Sequence, residues 1–314
     1  MFPFIDSIQN GDSFKLVKQI PDRSVDLILT DPPYFLDGEA GYRGAKWDSI
    51  GFIIPEEYHL DSNGFAALPQ KERTQIAEDA IDQYFRRIVN TFTPKLKPTG
   101  AFICFNRLKN IAIMKSELAK QTISKDEYLA EGGDINYYHE GQKRWQIDQD
   151  IEWLKVAPNP NVTEINQAEY ALVAFNLYGV VKHPLAYRSY ANVGLETGTT
   201  NQYVAHSPFN EDTEYGKNTG HLTPKPFTIW RDLLRKFSNP GDIIFDPYSG
   251  SGTTALASYD MNRHFIAFEF DKEQYQRSRN RLEVFKEIMP RSAFPTMLGV
   301  LPTKFTHNLK LLDL

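Results

Sequence analysis

A chain of 314 residues with 41% apolar side chains holds enough core material for one large α/β domain or two small ones, which excludes a disordered polyelectrolyte. A formal net charge of -5 argues against an indiscriminate polyanion binder, yet charge is unevenly spread: Arg86 to Lys120 carries eight Lys or Arg against one Glu, and Phe35 to Gln83 four basic residues against ten acidic. No run approaches the roughly 20 apolar residues that span a bilayer, and Met1 to Asp6 has no basic stretch ahead of an apolar one, so the expectation is a cytoplasmic protein without a membrane partner.

In chain order, Asn10-Gly11-Asp12 precedes a short amphipathic stretch, Ser13 to Ile20, and Pro21-Asp22 turns the chain into an apolar run from Val25 to Thr30. That run reads as a buried strand, and it stops at Asp31-Pro32-Pro33-Tyr34, where two prolines lack the N–H groups a central strand needs. Asp31 and Tyr34 therefore stand at a strand's carboxyl end, where open α/β sheets bind ligands. A rigid carboxylate, a proline carbonyl and a ring side by side suit a flat heterocycle bearing an amino group: two acceptors for its N–H bonds and a face to stack on. The bland alternative is an ordinary exit from strand to loop.

Gly38, Gly41 and Gly44 then line a loop ending at Lys46-Trp47-Asp48, with the composition of a segment that closes over a ligand. Ile76 to Phe92 has helical spacing, Lys97 to Gly100 is a turn, and Ala101 to Phe105 is a second buried strand, making a parallel strand–helix–strand unit. The single cysteine, Cys104, lies inside that strand and reads as core rather than nucleophile. Gln121 to Trp145 shows no period and reads as an insertion. Ile151 to Val156 and Tyr170 to Phe175 resume strand character, and Leu177 to Leu222 is loop-like. His221 to Pro226 opens a helix to about Phe237. Asp242 to Phe245 then runs as a strand into Asp246-Pro247-Tyr248-Ser249-Gly250-Ser251-Gly252-Thr253-Thr254, and a helix follows to about Tyr259. A strand from Phe265 to Phe268 ends at Glu269-Phe270-Asp271, and a last helix covers Lys272 to about Ile288.

A strand, a glycine loop and a helix start form a binding device for a nucleotide, and Glu269 and Asp271 follow about 20 residues later at a distance that suits ribose hydroxyls. Taken alone this fits a dinucleotide or any adenosine-bearing cofactor. Fewer than about 70 residues follow Gly250, too few for the second βαβαβ half of a dinucleotide fold. The rest of the sheet must come from earlier in the chain, which brings the Asp31 strand alongside.

Asp31-Pro32-Pro33-Tyr34 followed far downstream by Tyr248-Ser249-Gly250-Ser251-Gly252 resembles the amino-methylating DNA methyltransferases, the β class in particular, in which the catalytic half precedes the S-adenosylmethionine half. Gly11-Asp12, Trp153-Leu154-Lys155, the stretch His221 to Pro226 and Phe265 to Glu269 extend the likeness; Tyr248 stands where Phe is usual. The resemblance implies a doubly wound, mostly parallel Rossmann-like α/β sheet in circularly permuted order, one domain over 1–314 with inserted segments 35–83, 122–145 and 177–222. It implies Asp31, Pro32, Pro33 and Tyr34 as catalytic residues. Asp12, Thr223, Lys225, Asp246, Tyr248, Gly250, Gly252, Thr253 and Glu269 would hold S-adenosylmethionine, with Thr223 and Lys225 near its methionine carboxylate; for Lys225 the alternative is an exposed charge at a helix start.

No metal is implied. The partner is DNA, the membrane is not, and a homodimer is left open. Segment 177–222 would read the target, with Arg188 and Asn201 as candidates, and the basic stretch from Arg86 to Lys120 would help with phosphates. An acid at position 31 favours adenine over cytosine, giving N6-adenine methylation of a restriction-modification or orphan kind. N4-cytosine methylation is the alternative within the family. Outside it stand a nicotinamide-dependent oxidoreductase and a catalytically idle DNA-binding regulator.

Overall fold

The strands run, in chain order, β1 (Ser7–Asn10), β2 (Val25–Thr30), β3 (Leu96–Asn106), β4 (Trp145–Ile147), β5 (Ile151–Val156), β6 (Ala168–Asn176), β7 (Gln202–His206), β8 (Ile243–Asp246) and β9 (His264–Glu269). The helices are α1 (Ser13–Leu16), α2 (Gln70–Phe92), α3 (Leu108–Lys120), α4 (Lys125–Ala130), α5 (Phe227–Phe237), α6 (Thr253–Asp260) and α7 (Lys272–Ile288). The computed structural model describes residues 3–35, 53, 68–156, 168–180, 182, 202–206 and 225–288.

All the strands join one sheet in the order β1-β9-β8-β2-β3-β6-β5-β7, with β4 also pairing with β6. Pairing is parallel from β1 across to β3 and again between β5 and β7, and β6 alone runs against its neighbours. The late strand β8 lies directly against the early strand β2, Leu27 opposite Ile244 and Ile28 opposite Phe245. This is the permuted α/β arrangement expected, with the glycine-loop strand and the Asp31 strand as neighbours.

Alternation along the central strands divides the core between two faces. Leu27, Leu29, Ile103 and Phe105 pack with α5, α6 and α7 through Trp230, Leu233, Leu256 and Phe285. Ile28, Phe102 and Cys104 point the other way, onto Phe85, Ile88 and Phe92 of α2 and Ile111, Met114 and Leu118 of α3. Cys104 is a free thiol in that core, and burial raises it well above its ordinary range. Phe92 is wholly buried, stacked on Phe14 at 5.1 Å and edge-on to Phe245 and Tyr248, so truncating it to Ala would cost about 3–5 kcal/mol.

Six elements differ from the sequence expectation, among them α3 and β4, which it did not include. The helix α2 starts at Gln70, so the last part of segment 35–83 belongs to the core-facing layer. Segment 122–145 contains α4, opened by a capping box between Ser124 and Glu127, with Tyr128 buried; its Glu131 carboxylate holds both Arg23 and Arg144. β1 has one fully buried side chain, Ile8, too few for a period, and exists because β9 supplies its backbone partners. β7 lies within the loop-like stretch 177–222, where β5 gives it a parallel ladder from Glu152–Gln202 to Val156–His206.

Candidate active site

The chain leaves β2 at Asp31, and side chains from the end of β3 and the start of α3 hold the exit. Asn106 donates through Nδ2 to the Pro32 carbonyl at 3.1 Å, and Asn110, one helical turn on, donates to the Tyr34 carbonyl at 3.4 Å and to Asn106 Oδ1 at 2.6 Å. Both asparagines are fully buried. Buried amides of this kind are kept for their bonds, and these bonds fix the turn residues against the sheet. Sequence reasoning passed over both. Their signal was an Asn ending an apolar run with a second Asn four residues later.

Asp31 faces a buried ammonium. Lys225, in the segment leading into α5, reaches Asp31 Oδ2 at 2.7 Å and Glu169 Oε2 at 2.9 Å, and lies 5.2 Å from the centre of the Tyr34 ring. Lys225 is 7% exposed, so it is not a surface charge at a helix start. The Tyr34 hydroxyl donates to Glu169 at 3.4 Å. Glu169 reaches this place because β6 is antiparallel: its first residues lie beside the carboxyl ends of the parallel strands, Tyr170 opposite Asn106. Burial pushes the Asp31 carboxyl up to about 6, against the lowering pull of Lys225 and with Glu169 adding to the rise. Burial works against the Lys225 ammonium, but the charges of Asp31 and Glu169 outweigh it and hold the group above its ordinary range. Asp31 Oδ1 is buried and has no hydrogen-bond donor among the described residues.

Beside this exit lies the glycine loop. Asp246, ending β8, accepts from Thr30 Oγ1 at 2.8 Å and from Thr254 Oγ1 at 2.6 Å, while Trp230 donates to the same Thr254 oxygen. Asp246 therefore ties the loop, its helix and β2 together, and burial pushes its carboxyl up to about 6. Tyr248 explains its departure from Phe: its hydroxyl accepts from Tyr84 of α2 at 2.9 Å. Gly250 (φ 51°) and Gly252 (φ 81°) adopt the left-handed conformation. Thr253 is buried at the start of α6, its hydroxyl 3.1 Å from that of Ser251.

At the end of β9, Glu269 accepts from the Gly250 N–H and the Asp271 N–H, each at 2.8 Å, and burial pushes its carboxyl up to about 7 despite those bonds. Asp12 caps α1 by accepting from the Phe14 N–H, one residue beyond the Gly11 N–H that binds the Glu269 carbonyl. Asp12, Asp246, Tyr248, Gly250, Gly252, Thr253 and Glu269 are thus brought to the ends of three adjacent strands. Thr223, Arg188 and Asn201 lie outside the described residues, as does the loop through Gly38, Gly41 and Gly44. The stretch from Arg86 to Lys120 is less available to phosphates than its composition suggests. Arg86 binds Asp82 and Glu117, Lys95 binds Asp22, Lys97 binds Asp26, Lys109 binds Glu78 and Lys115 binds Asp150.

The DNA methylase family of N6/N4 methyltransferases matches residues 25–280, from the first residue of β2 to the middle of α7. The chain belongs to this family. The methylase is 23% identical over 292 residues to the Type II methyltransferase M.HinfI of Haemophilus influenzae, covering 90% of this chain and 70% of that one. It is likewise 23% identical over 282 residues to M2.DpnII of Streptococcus pneumoniae, covering 88% and 90%. Among solved structures it shares its fold with the cytosine-N4-specific PvuII DNA methyltransferase, with TM-score 0.55, 16% identity, and 98% of this chain and 92% of that one covered. The Thermus thermophilus protein TTHA0409 follows at TM-score 0.50 and 17% identity, with 90% and 95% covered.

Methylases of this family act on DNA and draw the methyl group from S-adenosylmethionine, which removes the nicotinamide reading. The residues present fit that cofactor: left-handed glycines that let backbone approach a ligand, a carboxylate at the neighbouring strand end for ribose hydroxyls, and a Ser249 hydroxyl buried without a partner among the described residues.

Proposed function

We propose that the methylase modifies the exocyclic N6 amine of an adenine at a specific DNA sequence, with Asp31, Pro32, Pro33 and Tyr34 as its catalytic segment. The observation that carries this reading is the Asp31 carboxylate at the carboxyl end of β2, with Lys225 on one oxygen and the other, Oδ1, buried with no donor among the described residues. A buried acceptor left without a donor costs about 1–3 kcal/mol, and an amine N–H is the donor the reaction brings. The Pro32 carbonyl, held from behind by Asn106, has a second lone pair for the amine's other hydrogen. An exocyclic amine delocalises its lone pair into the ring, and two accepted N–H bonds return that pair to nitrogen. S-adenosylmethionine, when bound, supplies an electrophilic methyl group on a sulfonium. Asp31 Oδ1 takes the proton that the amine gives up. Tyr34 stacks on a base turned out of the helix, returning about 1–3 kcal/mol of the unstacking cost.

Gly250, Gly252, Thr253 and Tyr248 hold the methionine part of the cofactor, Glu269 its ribose and Asp12 its adenine, with Asp246 bracing the loop and Thr223 close by. Segment 177–222, with Arg188 and Asn201, reads the sequence, and the enzyme works in the cytoplasm as the modifying arm of a restriction-modification pair or alone. The acid at position 31 supports adenine; the likeness to a cytosine-N4 enzyme is a likeness of fold.

The test is modification-sensitive sequencing of DNA from a methylation-free host expressing the chain. N6-methyladenine within one motif is the expected result. N4-methylcytosine would transfer the assignment to the other amine, and unmodified DNA alongside a folded protein would favour an idle DNA-binding regulator.

A further inference from the structure

Glu169 and Lys225 form, with Asp31, a largely buried cluster of two carboxylates and one ammonium, assembled from three distant parts of the chain. Side-chain exposure is 18% at Asp31, 16% at Glu169 and 8% at Lys225. Burying such ions is costly, and replacing a buried ion group by apolar residues is often neutral or stabilising, so the cluster calls for a reason beyond stability. Its geometry supplies one. Lys225 occupies Asp31 Oδ2 and so selects Oδ1 as the oxygen left for the amine. Glu169 takes a second bond from the same ammonium and receives the Tyr34 hydroxyl, so one pair of side chains braces both the acceptor and the stacking ring.

The charge count matters equally. Lys225 alone would cancel Asp31, whereas with Glu169 present the ionised cluster keeps one negative charge facing a nitrogen that turns positive as the methyl arrives.

We propose that Lys225 and Glu169 are positioning residues for methyl transfer, which orient the Asp31 carboxylate and keep its charge uncancelled; this rests on the reading of Asp31 as the amine's acceptor. It gives Lys225 a different task from holding the methionine carboxylate. Among the described residues, the groups that act on Asp31 are Lys225 before α5, Glu169 on β6 and Tyr34 on its own turn, while the buried Cys104 thiol on β3 feels its charge. Lys225 and, to a smaller extent, the Tyr34 hydroxyl pull its titration down, and Glu169 pushes it up.

The test compares the full chain with its Glu169→Gln, Lys225→Met and Lys225→Arg variants. Single-turnover methyl transfer from labelled S-adenosylmethionine to unmethylated genomic DNA is followed between pH 5 and 9, and the Asp31 carboxyl is titrated by carbon-13 NMR in the protein without DNA. The expected result is opposite movement. The acidic limb and the carboxyl titration, near 6 in the parent, fall by about one pH unit in Glu169→Gln and rise by one or more in Lys225→Met. Lys225→Arg stays within half a unit. Maximal rate drops tenfold or more in the Gln and Met variants, and cofactor affinity stays within about twofold.

Titrations that stay put, or move the same way in both variants, would overturn the proposal. So would a tenfold loss of cofactor affinity in Lys225→Met with an unmoved limb, which would assign the lysine to the cofactor. The NMR titration remains decisive even if a variant is inactive. Failure of the underlying reading is distinct: it shows as an active Asp31→Asn variant.

Discussion

Replacing Asp31 by Asn should remove activity and make the protein more stable, and both effects can be sized from the cluster around it. The amide keeps the shape of the carboxylate and can still accept from Lys225, which retains Glu169 at 2.9 Å as its counter-charge. What is lost at the site is a charge-assisted bond to the amine, about 1.5–3 kcal/mol, together with the negative charge that balances the developing cation. Methyl transfer should fall at least a hundredfold while cofactor affinity is kept.

The fold gains what the charge had cost it. A carboxyl moved from 3.8 to about 6 by burial holds its proton more tightly folded than unfolded, so its stabilising contribution is present below 3.8 and is lost as pH rises through 6. The ionised group therefore costs about 3 kcal/mol at pH 8 and about half of that at pH 5. Urea unfolding of parent and variant at both values reads the difference directly. A variant less stable than the parent at pH 8, or with the same advantage at both pH values, would refute the account of Asp31 as a carboxylate ionised against its surroundings. Transfer within tenfold of the parent would refute its catalytic role.

Other outcomes follow from the cofactor side. Gly252→Ala should lower stability by about 1–2 kcal/mol in urea unfolding, because φ is 81° and a Cβ would stand 3.1 Å from Ser278 Cβ on α7; the strain falls on the packing of that helix rather than in cofactor space. Calorimetry should then show weakened S-adenosylmethionine binding as the loop shifts, and unchanged stability and affinity would contradict both. Glu269 titrates at about 7, so cofactor affinity should rise between pH 6 and 8, by no more than tenfold per unit, and the Gln variant should flatten that dependence. Arg188→Ala or Asn201→Ala should relax sequence choice by about 1–3 kcal/mol per lost base contact without changing cofactor affinity, as read by sequencing the methylated motifs.

The buried strands were legible because a strand covered on both faces must be apolar at nearly every position: Val25 to Thr30, Ala101 to Phe105 and Phe265 to Phe268 all lie in the sheet. The neighbouring of β2 and β8 followed from reading the Asp31 turn and the Gly250 loop as parts of one site. β1 and β7 were not, because their place is decided by backbone partners on β9 and β5 and leaves little mark on side chains. The motif residues stood out through rare words such as Asp-Pro-Pro-Tyr. Glu169, Asn106 and Asn110 did not, because each is a single polar residue bordering an apolar run, and its meaning depends on a neighbour 74 to 135 positions away. Lys225 stands out in its motif, but only the antiparallel course of β6 brings it a second carboxylate.

The ladder between β5 and β7 constrains any experiment that asks whether segment 177–222 reads the target. A chimera that swaps all of 177–222 also removes the outermost strand, leaving the β5 edge with unpaired N–H and C=O groups, an invitation to aggregation. A loss of activity in that chimera would report a broken sheet margin and nothing about base reading. Grafts that retain residues 202–206 and exchange the chain on either side preserve the margin, so the donor's sequence preference can be scored in a protein that still folds. Exchanging the chain before and after the strand one side at a time would test whether either side carries part of the motif.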